Sequence, residues 1–343
     1  MSANQSKPAD IWTLGDLATP WSIHVVVTLR IAQHIASGRQ QIDDLARAAG
    51  ADADSLHRVL RHLVHQGIFE EPAVGTFALN DAARPLLDDG VMLGFDLDSF
   101  GGRMAHAWNT LLTAVRTGRP AYHEVFGRPF WDDLAAHPAL AERFDALMGP
   151  QGHGIPDPEV LVSGDWSKVR TVADIGGGTG ALLAEVLRTH PEVHGILVDQ
   201  PATIARAETR FREAGLIDRV TLAAQSFFDP LPAGADLYLL KSVLGDWPDR
   251  EAEMILRRCA AAARPAGRVV LDNEVSPDGH GGHGGPAPEL LMMVLVGGRA
   301  RSLSEFRPLA HRAGLEVAAT GKRPSGRFTV ECVPAATVTE SKA

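Results

Sequence analysis

Cysteine is almost missing from this chain: Cys259 and Cys332 are the only two in 343 residues. Two thiols so far apart build neither a disulfide framework nor a zinc site, so both are expected as buried thiols in a reducing compartment. A surplus of positive charge is missing as well. With 33 Lys and Arg against 42 Asp and Glu, the formal net charge is -9, which argues against a nucleic-acid partner because such affinity comes from neutralising phosphates. No apolar run reaches membrane-spanning length, and Met1 to Asp10 lack the apolar core of a signal peptide. These absences point to a cytoplasmic chain without a membrane partner. No metal site is expected either, since His280 and His283 lie in a flexible glycine tract that does not make a ligand set.

What is present suffices for two cores, one small and one of ordinary enzyme size. From Trp12 to about Leu87 the pattern is helical, with a break at Thr19-Pro20 and then the apolar stretch Trp21 to Ala32, part of which is expected to face another subunit. Two short helices closed by glycine follow, Ile42 to Gly50 and Asp54 to Gly67, and then a hairpin from Phe69 to Leu79 turning at Gly75. That order is a winged-helix pattern. Its second helix spends Leu56, Val59, Leu60, Leu63 and Val64 on one face and offers only Arg58 and Arg61 as fixed cations, so dimerisation or substrate capping is favoured over DNA reading. Domain limits are set at 1–100 and 101–343, with connecting helices over 101–161. Aromatics concentrate in those helices; Phe126, Phe130 and Trp131 suit either the wall of an apolar substrate pocket or inter-helix core.

After Val169 strands and helices alternate, which means a parallel sheet covered by helices. The stretch Val172-Ala-Asp-Ile-Gly-Gly-Gly-Thr-Gly180 runs from an apolar strand into the helix beginning at Ala181. Glycines in such a turn let a nucleotide-like cofactor approach the backbone where a Cβ would block it. Asp199 ends the next strand, placed to accept hydrogen bonds from two ribose hydroxyls. Leu315 to Thr320 and Arg327 to Val333 read as a closing hairpin that makes the last strand antiparallel. The glycine loop alone also fits a dinucleotide fingerprint through Gly176, Gly178 and Ala181; loop, Asp199 and hairpin together are more specific.

On these residues the chain resembles the S-adenosylmethionine-dependent O-methyltransferases of small-molecule biosynthesis, the group of plant phenolic and bacterial polyketide-tailoring enzymes. The resemblance spans nearly the whole length: the winged-helix unit, Asp174 to Gly180, Asp199, Ser226-Phe-Phe-Asp-Pro-Leu-Pro232, Leu240-Lys-Ser-Val-Leu-Gly-Asp-Trp-Pro-Asp249 and Gly297-Gly-Arg-Ala-Arg-Ser302. It implies a Rossmann-like α/β domain with a seven-stranded, mostly parallel sheet, joined to a helical dimerisation domain that makes a homodimer. It also implies S-adenosylmethionine as cofactor and S-adenosylhomocysteine as product. By the same resemblance Gly176 and Gly178 belong to the cofactor loop, Asp199 holds the ribose, Ser226 and Phe227 flank the adenine, and Lys241 lies by the carboxylate or sulfonium end. Ser226 stands where many members carry Asp.

The family's Leu-His-Asp-Trp is here Leu244-Gly245-Asp246-Trp247, so the histidine that takes the acceptor's proton is glycine. The supporting Glu of a Gly-Gly-Lys-Glu-Arg segment is Ala300 here, while Glu274 matches the other supporting Glu. Asp246 and Glu274 are the candidate replacements as catalytic groups. Each also has a structural reading, as a cap and as a solvated strand end. The acceptor-binding candidates are Trp131, His153 in its glycine-flanked loop, Trp247, and Glu289, Met292 and Met293 in the segment whose family counterpart lines the pocket. Two activities follow from the resemblance: methyl transfer to a hydroxyl of an aromatic, polyketide-like molecule, or, as in some relatives without the histidine, decarboxylation, hydroxylation or cyclisation with the cofactor bound. A ligand-responsive DNA-binding regulator is a third class, disfavoured by the acidic balance.

Overall fold

The computed structural model describes residues 10–149, 156–277 and 286–336. The chain divides into two compact units, Met1–Ala105 and His106–Ala343.

In the first unit, helices Ala18–Thr28, Ile31–Ala36, Ile42–Ala49 and Ala53–His65 precede a two-stranded hairpin, β1 (Glu70–Ala73) and β2 (Thr76–Ala78). Gly50 closes its helix in the left-handed region at φ 63°, and Asp52 caps the next helix by accepting the Ser55 N–H at 2.9 Å. The first of these signals was legible in the sequence. The break expected at Thr19-Pro20 falls a few residues earlier, between helix Ile11–Leu14 and the helix that starts at Ala18: Asp16 accepts the N–H groups of Ala18 at 2.9 Å and Thr19 at 3.1 Å, and Pro20 lies in the first turn, where its missing N–H costs nothing. A second interruption falls at Leu29-Arg30, with Arg30 at φ 55°. Val26, Val27, Ile31, Ala32 and Ile35 are buried in this unit's own core with Leu45, Leu56, Leu60 and Leu63. A run of exposed large apolar side chains lies earlier, at Ile11, Trp12, Leu14 and Leu17.

The second unit holds a seven-stranded sheet. Its strands are β3 (Thr171–Ile175), β4 (His194–Asp199), β5 (Val220–Ala224), β6 (Leu237–Lys241), β7 (Arg268–Asp272), β8 (Leu315–Lys322) and β9 (Phe328–Pro334), in the order β5-β4-β3-β6-β7-β9-β8. The first five in this order run parallel; β9 pairs antiparallel with both β7 and β8. Both faces are covered, so strand residues alternate between two cores rather than between core and water. Ala173, Ile175, Tyr238, Leu240 and Leu271 pack with Ile255, Cys259, Phe306 and Cys332 on one face. Val172, Leu197, Leu237, Leu239 and Val270 pack with Leu183, Val186 and Phe211 on the other. Cys259 and Cys332 are fully buried free thiols, as expected. No described helix is long and apolar enough to cross a membrane.

Candidate active site

Chain order reverses at β3, whose neighbours are β4 on one side and β6 on the other. Connections leave to opposite faces there, so the carboxyl ends of β3 and β6 border the crevice where open α/β sheets take ligands. The glycine loop springs from the end of β3. Gly178 sits at φ 60°, and a Cβ built there would meet nothing within 4 Å. Its N–H donates to Asp199 Oδ2 at 2.8 Å, while Asp199 Oδ1 accepts from Gln200 N–H at 2.7 Å. Gly180 has a different reason to be glycine: at φ 78° it begins helix Ala181–Thr189, and a Cβ would press into the Phe211 ring.

Two carboxylates sit under this loop. Asp174 is 1% exposed, its Oδ2 has no hydrogen-bond partner among the described residues, and burial pushes its carboxyl up to about 7 despite the nearby Lys241. Burial also raises Asp199, opposed by the two backbone N–H groups it accepts. Nearby, Asp145 and Arg206 make an ion pair at 2.6 Å, with burial raising Asp145. Lys241 ends β6, half-buried, opposite Asp272 of β7. Ser226 accepts the Phe228 N–H at 3.2 Å, a local turn, and Phe227 packs edge-on against Phe228 at 5.0 Å.

The ends of β6 and β7 carry Ser242 and Asn273, both non-glycine residues at positive φ, 57° and 61°. Such conformations persist only where surroundings impose them. After Ser242 the chain makes a single turn, Leu244–Asp246. Glu274 holds that turn from below: one carboxylate oxygen accepts the Val243 N–H and the other accepts the Gly245 N–H at 3.2 Å. Glu274 is thus 7% exposed rather than a solvated strand end, and burial raises its carboxyl against those hydrogen bonds. Asp246 has no hydrogen bond to its carboxyl among the described residues; burial first, then the Glu274 charge, hold it well above the usual carboxylate range. Its expected capping role is therefore not seen in its side chain.

From above, the turn is held by Arg301, which is 2% exposed. Its guanidinium donates to Leu244 O at 2.8 Å, Trp247 O at 2.7 Å and Asp249 Oδ1 at 2.9 Å. Gly298 lies flat on the same turn, since a Cβ there would press on Gly245 O and come within 2.8 Å of Asp246 Cα. Sequence reasoning gave neither residue a role. Only the unusual pair of arginines after two glycines hinted at it.

Trp247 joins an aromatic group: it stacks on Trp131 at 6.1 Å and meets Phe228 at 5.0 Å and Phe227 at 5.9 Å edge-on. Trp131 also packs on Phe130 at 4.9 Å and Phe144 at 5.8 Å, so it is core on one side and faces the Trp247 turn on the other. Its indole N–H is buried with no partner among the described residues. Beneath it, buried Asp133 accepts from Tyr122 Oη at 2.7 Å. Met292 and Met293 are half-buried on helix Pro286–Leu295, and Glu289 is exposed in its first turn. His153, His280 and His283 lie outside the described residues.

Residues 108–316 match the family model of the O-methyltransferase domain, and residues 13–89 match that of the O-methyltransferase dimerisation domain. The chain is 41% identical over 309 residues to the 2,7-dihydroxy-5-methyl-1-naphthoate 7-O-methyltransferase of Streptomyces carzinostaticus, covering 89% of this chain and 92% of that protein. It is 40% identical over 328 residues to the aclacinomycin 10-hydroxylase RdmB of Streptomyces purpurascens, covering 92% of this chain and 86% of that one. Among solved structures, the O-methyltransferase NcsB1 from neocarzinostatin biosynthesis, in complex with S-adenosylmethionine and 2-hydroxy-5-methyl naphthoic acid, matches with a TM-score of 0.89 at 38% identity, covering 96% of this chain and 100% of that chain. The chain belongs to the O-methyltransferase family.

Proposed function

We propose that this chain is an S-adenosylmethionine-dependent O-methyltransferase acting on a hydroxyl of an aromatic, polyketide-like small molecule, in the cytoplasm, as a homodimer through its N-terminal domain. The observation that carries the reading is the cradle at the strand-order reversal: an open-sided Gly178 whose N–H is tied to Asp199 at the end of β4. The site fits a cationic nucleoside. Buried carboxylates of Asp174 and Asp199 line it, and one oxygen of Asp174 has no partner among the described residues. Gly176, Gly178, Asp199, Ser226, Phe227 and Lys241 are assigned to the cofactor, and Trp131, His153, Trp247, Glu289, Met292 and Met293 to the acceptor. Residues 1–100 serve dimerisation and 101–343 cofactor binding and catalysis, with the connecting helices up to residue 161 contributing to the acceptor pocket.

S-adenosylmethionine supplies a methyl group that is already electrophilic on its sulfonium. The protein's part is alignment, exclusion of water and disposal of one proton. Alignment alone supplies about 7–11 kcal/mol. Ionising a phenol of pKa ~10 at pH 7 costs about 4 kcal/mol at ~1.36 per pKa unit, so loss of the histidine base is survivable. With the cofactor bound, its S–CH3 bond would break as the acceptor's O–CH3 bond formed, leaving S-adenosylhomocysteine, and Asp246 with Glu274 would take the proton from the acceptor's O–H. Both oxygens of Glu274 already accept turn N–H groups, whereas Asp246 has none. Asp246 is therefore the stronger candidate base, and Glu274 the group whose charge keeps it basic. A raised carboxyl loses less driving force against a phenol than an ordinary one, each unit being worth ~1.36 kcal/mol.

A second reading keeps the cofactor and abandons the transfer, and Gly245 favours it. The relative of Streptomyces purpurascens is named as a hydroxylase, at 40% identity. Incubation with methyl-labelled S-adenosylmethionine and aromatic polyketides, followed by mass spectrometry, separates the two: a product that carries the labelled methyl supports transfer, and an unlabelled product of another mass supports the alternative. Both readings share the cradle. Asp199→Ala should weaken S-adenosylhomocysteine binding about 10- to 100-fold by isothermal titration, as loss of charge-assisted hydrogen bonds of about 1.5–3 kcal/mol implies; unchanged affinity refutes the site.

A further inference from the structure

Gly245 does not need to be glycine for its backbone. It is not among the residues at positive φ, unlike Gly176, Gly178 and Gly180 of the loop. What it provides is room. A Cβ built on it would meet a single atom within 4 Å among the described residues, Glu274 Oε2 at 3.9 Å. The other side of the same turn is closed, because Gly298 lies against Gly245 O and Asp246 Cα. The opening is therefore one-sided, and a carboxylate oxygen faces it.

That oxygen has acceptor capacity to spare. Glu274 Oε2 accepts the Gly245 N–H at 3.2 Å, and a carboxylate oxygen offers two lone pairs. Two residues along, Trp247 begins the aromatic group with Trp131, Phe227 and Phe228. A planar ring against that group can carry a substituent into the opening. A substituent that donates a hydrogen bond would add a second partner to the buried oxygen; a methyl of the same size would take up the space and add none.

Building on the methyltransferase reading, we propose that the space beside Gly245 is an acceptor subsite for a hydroxyl or amino substituent on the ring position next to the hydroxyl that receives the methyl, held by Glu274 Oε2. Gly245 is then a specificity determinant: its missing side chain exchanges a protein group for a group of the substrate. Acceptors of the ortho-diol or ortho-aminophenol class are preferred over their methyl or methoxy counterparts.

The test uses the full chain loaded with S-adenosylhomocysteine, so that binding is read without turnover, and titrates 2,3-dihydroxynaphthalene and 3-methyl-2-naphthol calorimetrically. The diol should bind about tenfold or more tightly than the methyl isostere, the discrimination a site built for a donor imposes. Gly245→Val fills the opening and should erase that preference by weakening the diol, with Gly245→Ala intermediate, while S-adenosylhomocysteine affinity stays within about twofold because the cradle is untouched. A wild-type protein that binds both naphthols equally, or neither, overturns the subsite, as does a Gly245→Val variant that keeps the preference. A wild-type protein without affinity for S-adenosylhomocysteine instead overturns the methyltransferase reading on which the subsite rests.

Discussion

Replacing Arg301 by Met tests whether the turn that carries Gly245, Asp246 and Trp247 is held from above as the geometry states. The methionine stem fills most of the aliphatic volume but donates nothing. Leu244 O and Trp247 O then lose their partners at 2.8 and 2.7 Å, and Leu244 itself is only 1% exposed. Asp249 matters less: its side chain is 52% exposed, so water replaces the guanidinium at a cost of about 0–1 kcal/mol. Relief of the desolvation that lowers Arg301's own pKa offsets part of the loss. Two carbonyls left without partners cost about 1–3 kcal/mol each, or roughly 3–5 kcal/mol together after that offset. For a unit of 150–250 residues at ~2–4 °C per kcal/mol, Tm should fall by about 6–20 °C in differential scanning calorimetry. Below that temperature, S-adenosylhomocysteine should still bind, because Arg301 makes no contact with Gly176 to Gly180, and acceptor binding should fail. Arg301→Lys should recover only part of the stability, since one ammonium cannot span three acceptors. A Tm within about 2 °C of wild type for Arg301→Met would refute the clamp.

Two further outcomes follow from the same site. Gly298→Ala sets a Cβ within 2.8 Å of Asp246 Cα, backbone against backbone, so a loss of about 1–3 kcal/mol is expected in thermal unfolding, with acceptor affinity reduced more than cofactor affinity; an unshifted Tm would show that the turn yields freely. Asp174 titrates at about 7 in the folded chain against 3.8 ordinarily, so its contribution to stability is complete below the ordinary value and lost as pH rises through about 7. The loss approaches about 4 kcal/mol at ~1.36 per unit, and it adds to same-direction losses from Asp145, Asp199, Asp246 and Glu274, all raised by burial. Ligand-free Tm should therefore fall as pH rises from 3.8 to about 7, the two ends of that titration, and level off above it, and Asp174→Asn should flatten the fall; equal slopes in both proteins would contradict the assignment.

The parts legible in the sequence are those whose physics is local. An apolar strand ending in glycines, an Asp at the end of the next strand and a turn residue between two final strands each declare themselves within a few neighbours, and the sheet carries them where expected. Pro20 misled because proline is a break in mid-helix but a favoured guest in a first turn, and only the Asp16 cap decides between the two. Arg30 at φ 55° gave no compositional sign of ending a helix. Arg301 was out of reach for another reason: its three acceptors lie 52 to 57 residues away in sequence, and a buried guanidinium is the least expected outcome for arginine. Trp131 could not be settled by residue type, and its geometry explains why, since one ring face serves the helix core and the other meets Trp247.

The turn that carries Gly245 is held on every side. Glu274 takes two of its N–H groups, Arg301 takes two of its carbonyls, Gly298 lies flat on its backbone, and strained Ser242 and Asn273 begin the two approaches to it. Strain and buried charge of this kind are costly, and each element would be redundant if Gly245 were an empty remnant. What such a scaffold still fixes is the position of Asp246, the ring of Trp247 and one oxygen of Glu274. On the proposed reading those serve as a proton acceptor, a flat apolar wall and a directional hydrogen-bond acceptor for an aromatic hydroxyl. Placement is the larger share of the barrier here, about 7–11 kcal/mol against about 4 for ionisation, so a site that gives up the base and keeps the frame retains the larger contribution to catalysis.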